Sequence, residues 1–331
     1  MLTGRICLMK ISVLGCGRWG AFIAWYLNKI GHDTASWGLP TSKHLIELKN
    51  TRANGMLTFP ESLEITDDLE YAVGRAEVVV ISISCQSLRS FLADVKKYDL
   101  TGKSIVLCMK GIEEGTGKRL TEVVSDVLGD IPTAVWVGPG HPQNFVNDIP
   151  NCMVIDSAYP QLKKKLVDEF SSNLIRFYYG TDLIGSEVGA AAKNVIGIAA
   201  GFLDGFECSS LKGALMSRGT YEVGKLIKAM GGSEYSAYGL CHLGDYEATL
   251  FSKYSQNRMF GETFIRGESY TKLAEGVATC RALVYLAQKY DVDMPIVNAV
   301  RAILAGELDA KKALGELFSR SIKSEFIDYN K

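Results

Sequence analysis

The residue whose setting most suggests chemistry is Lys193, inside the run 189–205, GAAAKNVIGIAAGFLDG. In that run only Asn194 and Asp204 are otherwise strongly polar. Burying an ammonium is costly unless it is paired or put to use. Lys193 therefore either escapes to solvent along its stem or stays inside and handles protons. A second constellation is Gly15-Cys16-Gly17-Arg18-Trp19-Gly20, a G-x-G-x-x-G. Its first glycine permits a tight turn, its second lets the backbone approach a pyrophosphate, and its third allows close helix–strand packing. The helix that follows offers free N–H donors and a favourable dipole to an anion. A structural turn is the plainer reading. The motif follows a first strand and opens a helix, and that context favours a dinucleotide.

NAD-binding sites of this kind place an acid after the second strand, against the ribose hydroxyls. Here the segment reads Ser36-Trp37-Gly38-Leu39-Pro40-Thr41-Ser42-Lys43, without an acid. A 2′-phosphate meets no repulsion there, which leans the cofactor slightly towards NADP. The same residues also suit an ordinary solvated loop.

These groups need a scaffold. Lys10–Leu14, Asp33–Trp37, Glu77–Ile83, Ser104–Cys108, Thr133–Val137, Asn151–Asp156 and Ile175–Tyr179 all read as strands. Helical stretches, among them Ala21–Lys29 and Thr116–Leu128, alternate with them. That alternation predicts a doubly wound parallel sheet. Beyond about residue 182 the strand signals vanish, and helices are expected over Gly185–Leu203, Leu211–Met230 and Ser269–Tyr290. The expected fold is an α/β Rossmann domain, residues 10–182, followed by an all-helical domain, residues 183–331.

Bulk properties agree with an enzyme of two domains. The chain has 331 residues, 47% hydrophobic and 22% charged, with a formal net charge of −1. That balance gives no electrostatic reason to expect nucleic acid or an anionic membrane as partner. No apolar run stands out as a membrane span, and MLTGRICLMK lacks a signal-peptide core. The eight cysteines, at 7, 16, 85, 108, 152, 208, 241 and 280, form no C-x-x-C. They read as reduced thiols of a cytoplasmic protein, and no metal site is expected.

Several further motifs, in order, resemble those of bacterial NAD(P)-dependent glycerol-3-phosphate dehydrogenases. Asn54-Gly55-Met56-Leu57 is similar to the segment leading to the adenosine side of the cofactor. Met109-Lys110-Gly111-Ile112-Glu113 resembles T-K-G-[IL]-E, and Gly138-Pro139-Gly140 stands where that family has G-P-[ST]. Lys193-Asn194-Val195-Ile196 with Asp204-Gly205 matches the signature of the catalytic lysine. Leu243-Gly244-Asp245 resembles G-L-G-D, Asn257-Arg258-Met259-Phe260-Gly261 the end of S-R-N-R-x-F-G, and Ala274-Glu275-Gly276-Val277 resembles V-E-G. The resemblance implies a Rossmann domain with a helical domain like that of 6-phosphogluconate dehydrogenase. It implies reduction of dihydroxyacetone phosphate to sn-glycerol 3-phosphate, a step supplying phospholipid backbones, and a homodimer as a possible assembly.

By that resemblance Lys193, Lys110 and Asp245 are the catalytic residues. Gly15, Gly17, Arg18, Trp19, Gly20, Lys110 and Glu275 would bind NAD(P)H. Lys110, Gly138, Lys193, Asn194, Asp245, Gln256, Asn257 and Arg258 would bind substrate. A ketone gaining hydride builds negative charge on its oxygen, so a donor belongs there. Burial and the Lys110 charge would lower the pKa of Lys193, and an adjacent Asp245 would oppose this.

Three departures touch the substrate end. Gln256 replaces an arginine that holds phosphate in the family. Ser210, in Cys208-Ser209-Ser210-Leu211-Lys212, replaces an expected asparagine. The loop Gly140-His141-Pro142-Gln143-Asn144 brings His141 and Gln143 towards the cleft. Arg258, Lys212 or His141 is then expected to serve the phosphate. The alternatives are a related reductase of another small polar ketone or hydroxy compound, and a nucleotide-binding regulator without catalysis. Retention of Lys110, Lys193 and Asp245 together argues against the last.

Overall fold

The strand-like runs pair edge to edge, and most of them, though not Ile175–Tyr179, are buried on both faces. In the computed structural model, which describes residues 8–319 and 325, they form one eight-stranded sheet. The strands are β1 (Lys10–Leu14), β2 (Asp33–Trp37), β3 (Glu64–Thr66), β4 (Val78–Ile81), β5 (Ser104–Leu107), β6 (Thr133–Val137), β7 (Asn151–Ser157) and β8 (Ile175–Tyr179). Their order, β3-β2-β1-β4-β5-β6-β7-β8, is that of a doubly wound sheet. It leaves a switch point between β1 and β4, where such sheets bind ligands. One pair departs from the expected parallel arrangement: β6 and β7 run antiparallel. The connection between them carries only the five-residue helix Pro142–Val146, so the chain reverses instead of crossing over.

Two apolar layers flank the sheet. One gathers Tyr26, Trp136, Phe170 and Phe177 in edge-on and tilted ring contacts. The other packs Val79, Ile81, Leu107 and Val124. The seven described cysteines are free thiols, and Cys7 lies outside the described residues.

After β8 the described chain is helical, beginning with Leu183–Gly205 and continuing through Lys212–Ala229, Gln256–Arg266, Gly276–Lys289 and Pro295–Leu304. The expected helix 269–290 starts later, at Gly276, because the Asn257 side-chain oxygen accepts its N–H at 2.9 Å and fixes the first turn there. The expected helix 116–128 likewise starts at Leu120, after Gly117 at φ 69°. Contrary to the sequence expectation, one helix, Leu183–Gly205, is long and apolar enough to cross a membrane by length and composition. It forms the core of the helical half, with 89% of its most apolar window buried.

That helix carries glycines at a spacing of four: 185, 189, then Lys193 in the row, then 197, 201 and 205. Positions four apart share a helix face. Against this row lies the segment 236–265. A Cβ on Gly201 would stand 2.1 Å from the Arg258 carbonyl oxygen, and one on Gly261 would stand 2.2 Å from that of Ile198. The two helices therefore touch backbone to backbone. Lys193 interrupts the row, and its side chain occupies the groove the glycines open.

Candidate active site

Lys193 does not reach solvent; it is 6% exposed. Its Nζ lies 2.6 Å from Asp245 Oδ2 and donates to Thr249 Oγ1 at 2.8 Å. Lys110, just past β5, donates to the same Asp245 oxygen at 2.7 Å and to the Gly138 carbonyl at 2.6 Å. Asn194 donates to the Lys110 carbonyl at 2.8 Å, tying the lysine loop to the central helix. Asp245 ends the short turn Leu243–Asp245 and is almost fully buried. Thr249 donates to the Asp245 carbonyl at 2.7 Å, so its oxygen is oriented to receive Lys193. It belongs to the π-helical turn Glu247–Phe251, which aligns it with Asp245.

Two ammoniums thus share one carboxylate oxygen, leaving an excess positive charge in a buried cleft. Burial pushes the Lys193 pKa down to about 8; Asp245 opposes the shift and Lys110 adds to it. An ammonium with three donors that spends two on Asp245 and Thr249 keeps one for a ligand oxygen. Such a group can give a proton near neutral pH and recover it.

The glycine loop fits a dinucleotide. Gly15 sits at φ 114°, and a Cβ there would meet the Ser82 backbone oxygen at 2.2 Å. A Cβ on Gly20 would meet the Gly15 carbonyl at 1.8 Å. A Cβ on Gly17 would meet no atom of the described residues within 4 Å, which leaves room for a ligand there. Gly17 caps the helix Arg18–Lys29 with no side-chain bond, leaving its first N–H groups for an anion. The Trp19 ring lies 5.9 Å from Lys110 Nζ, which links loop and lysine pair, and its indole nitrogen is buried without a partner. Among the described residues Arg18 has no acidic partner.

Glu275 lies just before the helix Gly276–Lys289 and reaches across to Cys85, accepting its N–H at 3.3 Å and its thiol at 2.7 Å. Burial first, and then Glu275, push the Cys85 thiol pKa up, so the sulfur stays protonated and donates. Cys85 was not singled out in the sequence, and neither was Thr249. Both act through contacts made by elements distant in the chain.

The phosphate-end candidates separate. Gln256 is held by Tyr270, whose hydroxyl donates to its Oε1 at 2.7 Å, and donates to the Tyr254 carbonyl at 3.2 Å. Asn257 binds Gly276, as above. Arg258 donates to Asp204 and Glu262, each at 2.7 Å. Lys212 donates to Asp204 at 2.7 Å and to the Leu250 carbonyl at 2.8 Å. Burial alone would raise the Asp204 carboxyl, yet Lys212, Ser209 and Arg258 hold it below its ordinary value. These charges balance one another within the helical half. His141, by contrast, has a buried Nε2 without a partner among the described residues, as does Gln143 at Oε1.

Residues 10–163 match the family described as NAD-dependent glycerol-3-phosphate dehydrogenase N-terminus, and residues 182–315 the corresponding C-terminus. The chain is 36% identical over 331 residues to a glycerol-3-phosphate dehydrogenase [NAD(P)+] of Pelodictyon phaeoclathratiforme, covering 96% of this chain and 99% of that one. It is 35% identical to a protein of the same name from Chlorobium phaeobacteroides, with the same coverage. The crystal structure of glycerol-3-phosphate dehydrogenase from Coxiella burnetii superposes with a TM-score of 0.89 at 29% identity, covering 95% of this chain and 99% of that one.

Proposed function

This chain belongs to the NAD-dependent glycerol-3-phosphate dehydrogenase family, and from that premise we propose that it reduces dihydroxyacetone phosphate to sn-glycerol 3-phosphate, reversibly, with Lys193 as proton donor and acceptor. Its class is that of an NAD(P)-dependent oxidoreductase acting on a CH–OH group. The observation that carries the reading is the sharing of Asp245 by Lys193 and Lys110.

When bound, the dinucleotide supplies the hydride. The chain's own residues do the rest. Gly17 and the first N–H groups of the Arg18–Lys29 helix would hold the pyrophosphate, Gly15 and Gly20 shape the turn beneath it, and Glu275, held by Cys85, would face the cofactor. The excess charge of the two lysines would stabilise the negative charge that develops on the carbonyl oxygen. The free N–H of Lys193 then passes its proton to that oxygen, and the neutral amine regains a proton from water. Asp245 and Thr249 keep the amine aimed throughout. With Arg258 engaged by Asp204 and Glu262 and Lys212 by Asp204, Arg18 is the cation left to meet the substrate phosphate, while the lysine pair faces the carbonyl oxygen. The lean towards NADP rests on the segment after β2, which has no acid from Gly38 to Lys43. Gln256, neutral where the family has arginine, favours a second reading: a related reductase of another small polar ketone.

The test is oxidation of NADPH and of NADH with dihydroxyacetone phosphate, beside unphosphorylated dihydroxyacetone. Turnover of the ester alone is expected. Nucleotide binding with no turnover of the ester would refute the proposed substrate.

A further inference from the structure

Nε2 of His141 is buried and has no hydrogen-bond partner among the described residues. Buried polar atoms of folded proteins nearly always have partners, so an orphan in a cleft calls for a ligand atom. The ring's place is well defined. His141 follows Gly138, whose carbonyl receives Lys110, by three residues. Gly140 between them is at φ 146°, and a Cβ there would strike the Phe145 ring at 2.4 Å. Pro142 starts the next helix and stiffens the other side. The imidazole packs edge-on against Tyr254, with ring centres 5.6 Å apart, and the Tyr254 carbonyl in turn receives Gln256. His141 thus sits on the loop whose Gly138 receives Lys110, with its ring against Tyr254, the residue that receives Gln256.

We propose that His141 recognises a hydroxyl on the carbon next to the substrate's carbonyl, and so selects an α-hydroxy ketone over a simple ketone. A hydroxyl both donates and accepts, so it satisfies Nε2 in either tautomer; a carbonyl or phosphate oxygen only accepts. Burial and the nearby Lys193 charge push the His141 pKa down to about 4, which makes the ring a poor counter-ion for a phosphate. The sequence expectation that His141 serves the phosphate is replaced by this role. The inference rests on the proposed function, whose substrate carries such a hydroxyl.

The experiment compares kcat/KM for dihydroxyacetone phosphate and for hydroxyacetone phosphate, which lacks only that hydroxyl, in wild type, His141→Phe and His141→Gln. Leaving a buried polar group unpaired costs a factor of roughly 5 to 150, and wild type should prefer the hydroxylated substrate by that factor. His141→Phe should lose most of the preference by losing rate on dihydroxyacetone phosphate, with NADPH affinity retained. His141→Gln, which keeps a polar atom near Nε2, should recover part of it. Turnover of dihydroxyacetone phosphate with the wild-type preference intact in His141→Phe overturns this inference alone. An equal loss on both substrates also overturns it, because that marks a structural role. No turnover of either substrate by wild type overturns the proposed function, and this inference with it.

Discussion

Lys193 looked anomalous in sequence because its neighbours are small and apolar, and the structure turns that anomaly into a reason. Glycine at every fourth position lets the chain 236–265 approach the helix, and the one long side chain in that row lands between Asp245 and Thr249. In the proposed mechanism Lys193, with its pKa near 8, is protonated for reduction and neutral for oxidation. Reductive kcat/KM should therefore fall as pH rises through about 8, and oxidative kcat/KM should rise through the same range. Asp245 is the group that raises this pKa. Asp245→Asn should move the alkaline limb of the reductive profile to lower pH by on the order of one unit, besides lowering the rate. A limb that stays in place in Asp245→Asn would remove Lys193 as the group that sets it. Motifs made Lys193, Lys110 and Asp245 legible. Thr249 was not, because a threonine on an irregular turn carries no signal until Asp245 and Lys193 are folded beside it.

At the scale of elements, strands were easier to read than the pieces between them. β1, β2, β6 and β8 have the bounds expected: the first three are buried along almost their whole length, and β8 alternates, with Ile175 and Phe177 buried and Arg176 exposed. β3 has only three residues, and the helices Lys43–Thr51 and Leu69–Arg75 are short, so their periodicity is weak. The reversal at β6–β7 depends on what the connection lacks, which composition does not show. Among the buried contacts that join the two halves, that of Glu187 lies outside the lysine–Asp245 cluster and can be tested on its own. Glu187, on the central helix, accepts from Arg119 at 2.6 Å, from the Thr121 N–H at 2.9 Å and from the Thr121 hydroxyl at 2.7 Å. Removing one partner of a buried ion pair strands the other charge. Glu187→Ala should lower unfolding free energy by about 3–5 kcal/mol, read from the urea midpoint. Glu187→Gln should cost less, since it retains hydrogen bonds. A loss below about 1 kcal/mol in Glu187→Ala would mean that Arg119 finds water or another acceptor once freed.

For the whole molecule, the net charge of −1 says little about pH, because several buried groups are shifted well away from their ordinary values. His242 is fully buried: its Nδ1 donates to the Gly189 carbonyl at 2.8 Å, so its Nε2 accepts from the Tyr246 hydroxyl at 2.6 Å. Burial pushes its pKa down to about 4. Between about 4 and the unfolded value near 6.5, the unfolded chain binds the proton and the folded chain does not. Stability from this group is complete above that window and falls as pH drops through it, by about 3 kcal/mol in all. His141, also near 4, acts in the same direction. Glu222 opposes both. It caps the helix Pro295–Leu304 by accepting the N–H groups of Ile296 and Val297, each at 2.9 Å, and burial raises it to about 7. The folded state holds its proton more firmly than the unfolded state, so this group gains stability as pH falls from about 7 to 4.5. His32 and the carboxyls of Asp204 and Glu113, held below their ordinary values, act with the two histidines, and the buried Glu187, pushed above its own, acts with Glu222. His242→Asn should therefore begin less stable at pH 7, having lost its hydrogen bonds, yet lose less between pH 7 and 4 than wild type. Urea midpoints across that range give the comparison. Curves for wild type and variant that run parallel would show that His242 is not the proton-binding site, and that acid sensitivity arises elsewhere in the molecule.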